Sequence, residues 1–172
     1  MKLYRTKVDP LAKDIVGTLN AARDIEVSPG QVSEAELDVR AILDQYVKVE
    51  DEVWERSKDL VSQRNLPQGE LGRVRRIVAE ERKHKVGEEG IDWLIEQVIE
   101  GFLVSPNVEE VYSDDPTLRR RIFDVMKKHL DDDNAIEVEV KGRLKHLQEG
   151  TAAYEVEYQR VLQEVKKKRG AA

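Results

Sequence analysis

Apolar residues recur along this chain at helical rather than alternating spacing. Ile91, Leu94, Ile95, Val98, Ile99 and Phe102 form the cleanest stripe and fall on one face of a helix. Val39, Ile42, Leu43, Tyr46 and Val47 form another, announced by Ser33 with Glu36 three residues on, a capping box that satisfies orphan N–H groups at a helix start. Shorter stripes run through Leu71, Val74, Ile77 and Val78 and through Tyr154, Tyr158, Val161, Leu162 and Val165. Ile136, Val138 and Val140 alternate with acids as a strand would, yet Ile136, Val140, Leu144 and Leu147 also share one helical face. No second strand of comparable quality offers a pairing edge, so helix is predicted there too.

The prolines punctuate this pattern. Pro10 follows Asp9, and Pro116 follows Asp114 and Asp115, which reads as an acid accepting free N–H groups with proline in the first helical turn. Pro29-Gly30, Pro67 and Pro106-Asn107 mark loops. The result is an all-α fold of about eight helices, near 10–24, 34–48, 50–64, 70–84, 89–104, 115–130, 136–148 and 152–168. A shift of 80 residues superposes Ile15 on Ile95, Arg40 on Arg120, Ile42 on Ile122 and Asp44 on Asp124. A shift of 84 then superposes Leu60 on Leu144, Arg76 on Arg160, Glu80 on Glu164 and Lys83 on Lys167. The apolar stripes move with these matches, so two related four-helix units are expected, residues 1–86 and 87–172.

Composition removes most chemistries. With no cysteine there are no disulfides, thiolate metal sites or cysteine nucleophiles, and three histidines leave little for an imidazole centre. No run reaches the roughly 18 apolar residues of a membrane span. Met1 to Lys7 is basic with no apolar stretch after it, so a secretory signal is not expected and a cytoplasmic location is. The phosphate-binding, dinucleotide, zinc-protease and serine-hydrolase motifs are all missing from the sequence. Asp131-Asp132-Asp133-Asn134 lacks the later glycine and glutamate of a calcium loop and reads as an acidic cap for a following helix. His84, His129 and His146 all adjoin lysines, which suits exposed helix ends better than general bases. No catalytic residue, metal or cofactor is assigned, and the chain is read as a non-enzyme.

Charge is the informative signal. The net charge is −6, and residues 1–86 hold equal numbers of acids and bases, so the whole imbalance lies in 87–172. Val86 to Leu118 carries nine acids and no lysine or arginine, between Arg73, Arg75, Arg76, Arg82, Lys83 and Lys85 on one side and Arg119, Arg120 and Arg121 on the other. Either these charges neutralise one another within the chain, or the acidic helix meets a basic partner. Candidate partner-binding residues are Glu88, Glu89, Asp92, Trp93, Glu96 and Glu100, with Trp54 and Trp93 readable as core-edge residues or as anchors.

The expected role is therefore a helical adaptor that binds a protein partner or a second copy of itself. The alternative is an RNA- or ribosome-associated factor using Arg73, Arg75 and Arg76, which follow the clamp-like Gly69-Glu70-Leu71-Gly72, and the run Lys166, Lys167, Lys168 and Arg169.

Two segments carry a resemblance. The opening Leu11-Ala12-Lys13-Asp14-Ile15-Val16 and the close, from Glu149-Gly150-Thr151 through Tyr154, Glu155 and Tyr158 to Lys167-Lys168-Arg169-Gly170, resemble the bacterial family catalogued as domain of unknown function 507. That resemblance implies a helical unit of about 80 to 90 residues, here in two tandem copies. It further implies a bacterial cytoplasmic protein, and it supplies no catalytic residue.

Overall fold

The computed structural model describes residues 3–169, apart from the side chains of Asp132 and Asp133. Among the described residues there are six α-helices, not eight: α1 (Arg5–Ala21), α2 (Val32–Gln63), α3 (Leu71–Glu81), α4 (Gly87–Val104), α5 (Asp115–Arg143) and α6 (Ala152–Lys168). The expected helices at 34–48 and 50–64 are one helix, and so are those at 115–130 and 136–148. The expected break in α5 rested on the polar run Asp131 to Asn134, and the one in α2 fell at Val49, just before Glu50-Asp51. Charged residues interrupt an apolar stripe without interrupting a helix, which takes glycine or proline. The acidic run is accordingly interior to α5 and starts no helix; its central side chains lie outside the described residues. Pro10 likewise falls inside α1 rather than at its start.

The fold is mostly helical but not purely so. β1 (Ile25–Val27) pairs antiparallel with β2 (Val108–Val111), in register Ile25 to Val111 and Glu26 to Glu110, then Val27 to Val108. The skipped residue, Glu109, makes a bulge on β2. Three and four residues were too few for an alternating pattern to register. Side chains pin the ribbon: Asn20 Oδ1 accepts the Val27 amide at 3.2 Å, and Asp38 Oδ2 accepts from Ser105 Oγ at 2.6 Å and Asn107 Nδ2 at 2.9 Å.

The chain forms two compact units, Met1–Asp51 with His84–Leu130 and Glu52–Lys83 with Asp131–Ala172. Each takes a part of residues 1–86 and a part of residues 87–172. The two four-helix units expected from the sequence are therefore not what the elements build. The first unit buries Leu11, Ile15 and Leu19 of α1 with Val39 and Leu43 of α2, the α4 stripe, and Leu118, Ile122 and Met126 of α5. In the second, Val53 and Val61, Leu71 and Val78, Ile136, Val140 and Leu144, and Val161, Leu162 and Val165 are buried. Thr151 caps α6, its hydroxyl accepting the Tyr154 amide at 3.2 Å.

Candidate functional site

Helix α4 divides cleanly. Ile91, Leu94, Ile95, Val98, Ile99 and Phe102 are buried, as the stripe predicts, and so is Gly90. Glu88, Glu89, Asp92, Glu96, Glu100, Leu103 and Val104 are exposed. At 100° per residue, Asp92, Leu103, Glu96, Glu89 and Glu100 fall within one quadrant of the outer face, so Leu103 stands among acids. It is 65% exposed, and Val104 beside it 81%.

This face is not a by-product of helix stability. Glu88 and Glu89 sit in the first turn, where the helix dipole favours acids, but Glu96 and Glu100 lie toward the C-terminal end, where it does not, and the last turn holds no base. Glu88, Asp92, Glu96 and Glu100 succeed one another at i, i+4, an arrangement of like charges costing a few tenths of a kcal/mol per pair.

Neutralisation within the chain is partial. Lys85 Nζ lies 3.3 Å from Glu89. Arg119 bonds Asp115 at 2.6 Å, and that bond, joined by the fields of Glu96 and Asp92, holds its guanidinium above its usual range. Among the described residues no base lies within 4 Å of Glu88, Asp92, Glu96 or Glu100. Of the remaining flanking bases, Arg73, Arg82 and Arg121 are engaged elsewhere, while Arg76, Lys83 and Arg120 are exposed. Arg82 pairs with Glu52 at 2.8 Å and Arg73 with Glu70 at 3.4 Å. Arg121 Nε lies 2.8 Å from the buried Asp24 carboxylate, off the N–H direction, so that contact is ionic.

Trp93 stands apart from the acids. It is half-buried, packs against the core, and stacks on Tyr46 at 6.0 Å. The other tryptophan, Trp54, has the Arg75 guanidinium 5.4 Å from its ring centroid. Both are core-edge residues. The terminal basic run is half absorbed: Lys166 is buried and Arg169 bonds Glu139 at 2.9 Å. Of the seven bases proposed for nucleic acid, Arg76, Lys167 and Lys168 are exposed with no ion pair among the described residues.

Two histidines are not the exposed helix-end residues expected. The side chain of His84 is covered, its Nε2 2.7 Å from Glu50 Oε2 and its ring 4.7 Å from that of Tyr46. Tyr46 in turn donates to the Lys85 carbonyl at 2.9 Å. A Cβ at Gly90 would collide with the Tyr46 hydroxyl and the Lys85 carbonyl, so this glycine lets the first turn of α4 close on α2. The cluster fixes where the acidic face begins. Its only sequence signal is Tyr46 and Glu50, one turn apart. His129 is mostly covered, 2.8 Å from Asp14; His146 is exposed.

Among the described residues no three His, Asp or Glu side chains are placed to hold a metal ion, and no helix is long and apolar enough to cross a membrane. A family model described as "Protein of unknown function (DUF507)" matches residues 1–171, and the chain belongs to that family. A comparison with curated proteins finds no match.

Proposed function

We propose that this member of the DUF507 family is a non-catalytic adaptor that presents the outer face of α4 to a basic surface on a protein partner. One observation carries the reading: the acids at 88, 92, 96 and 100 are exposed at a spacing that opposes helix stability, while most neighbouring bases are engaged elsewhere. Such a face speeds encounter with a basic partner and rejects acidic ones. The cytoplasm is the compartment this role implies. The order helix, strand, helix, helix occurs twice, as α1-β1-α2-α3 and α4-β2-α5-α6, which supports descent from two tandem copies of one unit.

The test is capture from a native lysate with the full chain as bait and identification of what is held. Bound proteins should be basic at the captured surface, and Glu88→Lys, Glu89→Lys and Glu96→Lys together should abolish capture. Unchanged capture by that triple variant overturns the reading. Capture that tracks RNA and collapses after nuclease treatment overturns it in favour of the nucleic-acid alternative.

A further inference from the structure

We infer that the α4 face docks on the basic flank of α5 in a second copy of the chain, forming a two-fold symmetric dimer. This rests on the reading that α4 is a docking face and names its occupant.

The first half of α5 carries the complement of α4. Arg120 and Lys127 are exposed about one turn to either side of Phe123, which is 40% exposed, and Lys128 is exposed further round the helix. One helix thus offers Leu103 among acids, and the other Phe123 among bases. The two faces adjoin: Arg119, one turn before Phe123, feels the charges of Asp92 and Glu96, and the buried stripes of α4 and α5 belong to one core. Together they make one surface, acidic on one side and basic on the other, with an apolar residue on each. A two-fold axis through such a surface sets each half against its opposite in the partner, so every contact is made twice and the assembly closes. Asp124, next to Phe123 in sequence, is an exposed acid within the basic flank. Matching charges fix the orientation, while Leu103 and Phe123 supply apolar surface that a purely ionic encounter lacks.

The full chain should sediment as a reversible dimer at ~100 μM, with dissociation favoured by a salt rise from ~0.05 M to ~0.5 M. Glu96→Lys with Glu100→Lys, and separately Arg120→Glu with Lys127→Glu, should each weaken association at least ~10-fold by setting like charges together. An equimolar mixture of the two variants should restore dimers. In the mixed dimer one contact is native, and the other pairs reversed acids with reversed bases. Circular dichroism checks that each variant is folded. A wild type monomeric at low salt, or a mixture that fails to recover association, overturns the inference. If that happens while Glu96→Lys with Glu100→Lys still abolishes lysate capture, the adaptor reading stands and only the second copy falls. If neither capture nor sedimentation responds to this variant, both fall.

Discussion

Tyr154 lies at the first turn of α6 with 7% of its surface exposed. Burial, joined by the fields of Glu149, Glu137 and Glu155, pushes its phenol up to about 12. Below about pH 10 the folded and unfolded chains both keep this proton, and its contribution to stability is fully present. Between about 10 and 12 the unfolded chain releases it while the folded chain holds it, so stability falls as pH rises. In urea denaturation over that window the wild type should lose stability more steeply than Tyr154→Phe, which has no proton to release. Equal slopes would refute the assignment. Backbone strain is the other feature at this scale. Arg23, Asn65 and Lys83 adopt φ values of 58°, 48° and 53°, each two residues past the end of a helix. There the Asp24 amide bonds Leu19 O at 2.9 Å and the Leu66 amide bonds Val61 O at 3.0 Å, closing the helix ends. Glycine would take that conformation without the side-chain penalty of roughly 1 kcal/mol. Lys83→Gly is expected to raise unfolding stability by about 0.5 kcal/mol or more, offset in part by glycine's freedom in the unfolded chain. A lower denaturation midpoint contradicts this.

At the scale of elements, α4 is held by its buried face in spite of its outer one. Glu100 is the clearest case, lying one turn beyond Glu96 and next to the final turn, residues 101–104. Glu100→Gln removes a like-charge pair and an unfavourable dipole contact, so it should stabilise the protein by about 0.3–1 kcal/mol at low salt and by less at high salt. The thermal midpoint at two ionic strengths measures this, and a salt-independent change would point to the Gln97 contact instead. The helices legible in the sequence were those whose stripes ran unbroken, as in α4 and α6. The joins within α2 and α5 were not, because a charged run weakens the stripe while leaving backbone hydrogen bonding intact. The strands were missed because Ile25-Glu26-Val27 is too short to show alternation and Val108 to Val111 reads as acidic loop. Of the candidate site, the acids were legible because exposed charges are set by helical phase alone. The covering of the His84 side chain and the burial of Lys166 were not, since they depend on residues distant in sequence.

At the scale of the whole molecule, the net charge of −6 describes no part of the protein well. Bases that look available in the sequence are held by acids in the fold: Arg160 bonds Glu164 at 2.6 Å, and Arg143 bonds Glu139 at 2.7 Å. The acids of α4 have far fewer such partners. That asymmetry, rather than the net figure, is what a partner would meet.

The two compact units are discontinuous in sequence, and this fixes an order of events during synthesis. The first unit needs α5 as far as Leu130, so Leu11, Ile15 and Leu19 cannot be covered by Ile122 and Met126 until about three-quarters of the chain has left the ribosome. The second unit waits longer still, for α6. α1, α2 and α4, which share the first unit's core, therefore emerge with one side of it still open, and it closes only when α5 follows.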